Sequence, residues 1–232
     1  MYSEEVKDKI LHLLKYKTIK EIAEEFGISY STLYRWQKTK NDSKLIKELM
    51  LEEKYDEALV IGKSYPNNEV IKGQVMSIYM KKRDYEKAIQ IAREFPNNAS
   101  IQSQLMTVYV KNKDYEAAIK IAEKFSSYAP IQSQLMTVYM KNKDYEAAIK
   151  IAEKFPNDVP IQSQLITVYM ENKNYGSARK IAAKFPNDNI IQSQLMTAYV
   201  KNGDYEGARE IAAKLPNDNI IKSQLMKIKM EK

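Results

Sequence analysis

A tyrosine recurs every 30 residues, at Tyr55, Tyr85, Tyr115, Tyr145, Tyr175 and Tyr205, and three positions after each stands an alanine, from Ala58 to Ala208. A fixed period of this length marks a chain built from stacked units, each too small to bury its own apolar face. The copying extends well beyond the apolar letters. Residues 131–155 repeat residues 101–125 with one change, Met140 for Val110. A core needs its buried residues repeated, not its solvated ones. The copied Gln-Ser-Gln and Lys-Asn-Lys therefore require a separate explanation.

Each unit has the same grammar. Ile101, Leu105, Val108 and Tyr109 share one helical face. A Lys-Asn-Lys-Asp turn follows, with Asp114 placed to cap a second helix and Glu116 in its electropositive first turn. Tyr115, Ala118, Ile119, Ala122 and Phe125 form the face of that second helix. In most units a proline, as in Phe95-Pro96-Asn97-Asn98, then forbids continuation.

On Leu105, Tyr109, Asp114, Tyr115 and Ala118 this grammar resembles the tetratricopeptide repeat. The closing proline comes eight residues after the alanine, Ala88 to Pro96, where that family has about twelve. The loss is about one helical turn. Met106 stands where the family has a small residue, so the two helices are expected to pack less closely. The resemblance runs from Ser43 onward. It implies an all-α chain whose residues 43–232 form a right-handed, curved α-solenoid of about six helix pairs, with the last helix as a cap. The end units differ from the rest: the first lacks Gln-Ser-Gln, and the last has Lys227 and Lys229 in place of threonine and tyrosine, giving the open end a polar face.

Residues 1–42 read differently. A helix is expected over residues 3–16. Thr18 and Glu21 then form a capping box for a helix from Ile19 to Phe26, Gly27 turns the chain, and Ser29 caps the next helix. Ala23, Gly27, Leu33 and Trp36 fall at the spacing of a helix-turn-helix, with leucine and tryptophan inside. The segment resembles the short three-helix domains of transposases, resolvases and phage packaging or regulatory proteins. That resemblance implies a recognition helix in the major groove of duplex DNA, presenting Tyr30, Ser31, Tyr34, Arg35 and Lys38. Arg35 would read guanine, and residues 39–44 would meet phosphate. Against this, residues 3–44 hold nine basic and seven acidic side chains, a thin electrostatic footprint. The competing reading is that the hairpin only starts the solenoid.

The remaining features exclude more than they assign. The chain has no cysteine, hence no disulfide framework or thiol chemistry. Its N-terminal stretch alternates charged and apolar residues, unlike a signal peptide, and no apolar run could span a bilayer. A cytoplasmic protein with no membrane partner is expected. A net charge of +7 admits nucleic acid or an acidic protein as partner. His12 has no acid or nucleophile placed beside it, and no phosphate loop or metal-ligand spacing occurs, so neither catalysis nor a cofactor is expected. Tyr109, Tyr115 and the stripe Met106, Met136, Met196 and Met226 are read as packing residues.

The tetratricopeptide resemblance also implies a groove lined by the first helix of each unit. It places Ser103, Thr107, Val110 and Lys111 there, with Ser133, Thr137, Met140 and Lys141, then Ser163, Thr167, Met170 and Glu171, then Ser193, Thr197, Val200 and Lys201. Hydroxyls stand where a carboxylate clamp would need cations and amides, so the row suits an extended peptide or a partner helix. Glu171 breaks the lysine row and Gly203 replaces a turn lysine, which favours recent duplication over selection by a repeating ligand.

The leading expectation is a DNA-binding regulator whose array binds a peptide or protein partner or a second copy of itself. Its plan resembles that of bacterial regulators joining a helix-turn-helix to tetratricopeptide repeats. The alternative is a pure protein-interaction module, such as a phage or mobile-element inhibitor of a host defence protein, with the helix-turn-helix as cap or docking surface. A third reading has turn lysines such as Lys81, Lys113 and Lys143 track a nucleic-acid backbone.

Overall fold

The computed structural model of the protein describes residues 2–215 and 219–230. These hold fifteen α-helices and one short 3-10 turn, with no strand among the described residues. The chain divides into two compact units, residues 1–104 and 105–232.

The first helix is shorter than residues 3–16. Ser3 caps α1 (Glu4–His12), and the chain then tightens into a 3-10 turn at Leu13–Lys15. The capping box forms as expected on α2 (Ile19–Phe26): the Glu21 N–H donates to Thr18 Oγ1 at 3.3 Å, and the Thr18 N–H donates to Glu21 Oε2 at 2.7 Å. Gly27 takes the left-handed conformation, φ 61°, and Ser29 caps α3. Ile10, Ile22, Ile28 and Leu33 form the core of this segment. Trp36 packs on that core but stays partly exposed, with Tyr2 edge-on to its ring and the Lys7 ammonium over it.

The helix α3 (Tyr30–Leu51) runs unbroken for 22 residues. Residues 42 and 43 lie inside it. Its first half completes the helix-turn-helix; its second half buries Ile46 and Leu49 and pairs with α4 (Tyr55–Lys63). Four full hairpins of the repeat follow in order: α5 (Glu69–Lys81) with α6 (Tyr85–Glu94), α7 (Ala99–Lys111) with α8 (Tyr115–Lys124), α9 (Ala129–Lys141) with α10 (Tyr145–Glu153), and α11 (Val159–Glu171) with α12 (Tyr175–Ala182). A fifth, α13 (Asn189–Lys201) with α14 (Tyr205–Lys214), precedes the closing helix α15 (Asn219–Met230). Within residues 105–232, α9, α11, α13 and α15 pack in sequence, and α10, α12 and α14 each pack against the first helix of the next hairpin. Met106, Met136 and Met196 are fully buried, whereas Met226 is 64% exposed. The side chains of Lys227 and Lys229 lie outside the described residues.

Three repeated devices close the units. The first is the turn between paired helices. Asp114 N–H donates to Tyr109 O at 2.9 Å and Lys113 N–H to Val110 O at 3.2 Å, which is a Schellman closure. It places the residue before the cap in left-handed conformation, and that residue is Glu53, Arg83, Lys113, Lys143 or Lys173 in turn, with glycine only at Gly203. The second is the pair of caps. Asp84, Asp114, Asp144, Asn174 and Asp204 cap the second helices, while Asn68, Asp158 and Asp188 cap first helices, so the Asn/Asp run after the proline starts a helix as well as ending one. The third is a buried glutamine. Gln132 Nε2 donates to Ala122 O at 2.7 Å and Phe125 O at 3.2 Å; Gln102, Gln162 and Gln192 repeat the pattern on their own preceding helices. All four are at most 7% exposed. Each amide adds a donor to two carbonyls where the intrahelical ladder of the preceding helix runs out; Phe95 O, Phe125 O, Phe155 O and Phe185 O also accept a backbone N–H from the following turn.

Candidate nucleic-acid and partner interfaces

Leu33, buried in the core of the first segment, fixes the rotation of α3. Tyr30, Ser31, Tyr34, Arg35 and Lys38 therefore all lie on its exposed surface, with Tyr30 and Tyr34 more than half exposed. Arg35 forms no ion pair among the described residues. Lys38 is held. Its ammonium donates to Asp42 Oδ2 at 3.3 Å and lies 5.9 Å from the ring centroid of Tyr65, whose hydroxyl also donates to Asp42. The bond to Asp42 holds the Lys38 ammonium above its ordinary pKa; burial, then Asp42, pushes the Tyr65 phenol up. The loop between α4 and α5 thus sits on the middle of α3, a contact that the sequence pattern gives no means to foresee.

The expected partner row is divided. Its hydroxyls turn inward: Thr137 Oγ1 donates to Ser133 O at 3.2 Å, Thr167 Oγ1 to Ser163 O at 3.5 Å, and Thr197 Oγ1 to Ser193 O at 3.0 Å. Ser133 Oγ also bonds Gln164 Oε1 in the next hairpin at 3.1 Å, as Gln74 Nε2 bonds Ser43 Oγ at 3.0 Å near the start of the array. Ser163 and Ser193 are buried, and Ser103, Thr107, Ser133 and Thr137 are half-buried. Lys111, Lys141 and Lys201 stand exposed at the ends of their helices. The second glutamine of Gln-Ser-Gln and the serine thus act between hairpins.

Residues 1–104 also carry a cleft of about 1220 Å³ between α1, α3 and the α4–α5 loop, reaching from Tyr2 and Lys7 past Arg35 and Trp36 to Lys47, Tyr65 and Val70. His12 is exposed on α1, its ring 6.3 Å from that of Tyr16. No group of three histidine, cysteine or carboxylate side chains is placed to hold a metal ion, and no helix is long and apolar enough to cross a membrane, among the described residues.

Two family models match parts of the chain. Residues 3–45 match the family model of the homeodomain-like domain, and residues 193–220 match that of the PPR repeat. The fold is similar to that of a tetratricopeptide repeat protein from Parabacteroides merdae, with a TM-score of 0.52 at 14% identity over 96% of this chain and 97% of the other. The tetratricopeptide domain of P58(IPK) aligns over 98% of this chain and 74% of that one, with a TM-score of 0.35 and 11% identity. No curated protein matches. The chain is a helix-turn-helix segment joined to an α-solenoid of tetratricopeptide-like hairpins.

Proposed function

We propose that the protein is a non-enzymatic DNA-binding regulator, acting in the cytoplasm, whose first segment reads duplex DNA and whose array engages a protein or peptide. The observation that carries this reading is the exposed face of α3, where Tyr30, Ser31, Tyr34 and an ion-pair-free Arg35 stand over a helix-turn-helix core. Arg35 reads guanine in this scheme, and the two tyrosines and Ser31 contact backbone or base edges. Lys38 contributes less, since Asp42 already holds its ammonium. The functional division falls at residues 42 and 43, and α3 carries both sides of it. In the array, Lys111, Lys141 and Lys201 contact the partner, while the hydroxyls of Ser103, Thr107, Ser133, Thr137, Thr167 and Thr197 shape the surface.

The test is selection from a random duplex library at moderate salt, repeated with Arg35→Ala. An enriched motif is expected, with a loss of about 1–3 kcal/mol for the variant and unchanged helicity. One small reading head gives limited specificity, so a selected site is expected to hold two half-sites bound by a homodimer. With no enriched motif and no effect of Arg35→Ala, the helix-turn-helix is a cap or docking surface and the chain is a protein-interaction module. The hold of Tyr65 and Asp42 on Lys38 favours that second reading.

A further inference from the structure

We infer that the cleft between α1, α3 and the α4–α5 loop is the docking site of an extended acidic peptide, and that this peptide shares Arg35 with DNA. This deepens the partner side of the proposed function, and only the competition with DNA rests on the DNA-reading side.

Charge is the first argument. The cleft is lined by five cations, Lys7, Arg35, Lys40, Lys44 and Lys47, against two carboxylates, Glu4 and Asp8. Both carboxylates are already paired, Glu4 with Lys7 and Asp8 with Lys40 at 2.8 Å. Lys44 reaches Glu48 at 3.4 Å on the solvent side, while Arg35 and Lys47 form no ion pair among the described residues. A ligand entering the cleft therefore meets uncompensated positive charge at both ends.

Shape is the second argument. The floor is α3 from Thr32 to Lys47, which at the rise of an α-helix is about 22 Å. An extended chain of about seven residues spans that distance. A smaller groove of about 420 Å³ continues the path, sharing Lys47 and Val70 with the cleft. It passes Gly73, which stands where α7 has Ser103, between the side chains of Gln74, Ser77 and Gln104. Thr32, Ser64 and Asn67 along the walls offer groups suited to a peptide backbone.

The aromatic side chains argue against single-stranded nucleic acid, which needs free ring faces to stack bases. Trp36 has Lys7 over its ring at 5.7 Å and Tyr2 against it edge-on at 5.6 Å. Tyr65 lies under Lys38 and spends its hydroxyl on Asp42.

The protein has a single tryptophan, and it lies in the cleft, so its emission reports occupancy. The experiment selects random peptides of about eight residues on the full chain, then measures one selected peptide by polarisation and by Trp36 emission. Enrichment of Asp and Glu is expected, with an emission shift at saturation. Lys44→Glu/Lys47→Glu is expected to weaken binding about tenfold or more, and Arg93→Glu, an exposed cation outside the cleft, to leave it unchanged. Circular dichroism checks that each variant keeps its helicity. No acidic enrichment, binding without an emission shift, or equal weakening by Arg93→Glu overturns the inference. Displacement of the peptide by poly(U) at lower concentration assigns the cleft to nucleic acid and overturns it as well. A failed duplex selection beside a bound peptide removes the DNA reading and leaves this site standing; a selected duplex that competes with the peptide supports both.

Discussion

Replacing Gln132 by leucine removes one polar group of a repeated letter at nearly constant volume. Gln132 is 5% exposed, and its amide donates to Ala122 O and Phe125 O at 2.7 and 3.2 Å. Ala122 O lies at the C-terminal end of α8 with no further helical turn to receive it, while Phe125 O also accepts from the Tyr128 N–H at 3.0 Å. Two net hydrogen bonds are worth about 1 kcal/mol each, and a carbonyl left dry costs about 1–3 kcal/mol. A loss of about 2–4 kcal/mol is therefore expected for Gln132→Leu. Gln132→Lys keeps a donor and is expected to fall between, since lysine stands at the equivalent positions Lys72 and Lys222. Lys120→Ala, which removes an exposed pair with Glu116, is expected to leave stability unchanged. An array of this kind need not unfold in one step. The measurement is accordingly native-state hydrogen exchange of the amides in α8 and α9 beside a urea titration. If Gln132→Leu matches the wild type within about 0.5 kcal/mol by exchange, the staple is incidental and the reasoning from the Ala122 carbonyl fails.

Three other perturbations follow from the turns, the packing and the cleft. Lys113 sits at φ 60°, where a side chain costs about 1–2 kcal/mol, so Lys113→Gly is expected to stabilise by up to about 1 kcal/mol after the entropy lost by glycine, and Gly203→Lys, with open space around it, to destabilise by a similar amount; thermal melts of both decide it. Gly62→Ala improves helix propensity, yet the new methyl would run into Val75 Cγ2 on a buried side chain, so a net loss of about 1–3 kcal/mol is expected in urea titration. Burial and Asp42 raise the Tyr65 pKa, so its contribution to stability is complete below the ordinary tyrosine value of about 10 and is lost as pH rises through the higher folded value; the difference in tyrosinate absorbance between wild type and Tyr65→Phe should show one phenol titrating late.

The architecture was legible because period and face are carried by side-chain type: Tyr55 to Tyr205 and Ala58 to Ala208 mark every second helix, and Thr18, Glu21, Gly27 and Ser29 mark the ends around the first turn. Three things were not legible. The Thr-Lys-Asn-Asp-Ser letters of residues 39–43 carry no mark of helical continuity, yet the structure continues α3 through them, and Ile46 and Leu49 are buried on the turns that pair with α4. The first glutamine of Gln-Ser-Gln looks solvated by type; only the end of the preceding helix, ten residues back, shows what it bonds. The left-handed residue of each turn is usually announced by glycine, and here lysine, arginine or glutamate holds it in five turns out of six. The reading face of α3 was placed by the Leu33 register alone, but the grip of Tyr65 and Asp42 on Lys38 is a long-range contact with no local signal.

The pattern of divergence within the chain separates architecture from copying. Between the fourth and fifth units Glu146 gives way to Gly176, Glu153 to Ala183 and Lys141 to Glu171, and all of these are exposed. Ile149, half-buried, becomes Arg179, which pairs with Asp204 and lies over the Tyr199 ring at 4.3 Å. Asp144 becomes Asn174, which still caps its helix, and Gln162 and Gln192 keep the same two carbonyls. Between these two units, a polar letter that closes a helix or staples two hairpins has stayed or been exchanged for a residue that does the same work. Where it only faces water, it has begun to drift. The identity between residues 101–125 and 131–155 is therefore larger than the fold requires, and the surplus lies on the solvated faces. A ligand that read the exposed lysines at equal spacing would have opposed the change at Glu171. The proposed partner of Lys111, Lys141 and Lys201 therefore does not read the row as a regular repeat, and needs no cation at position 171.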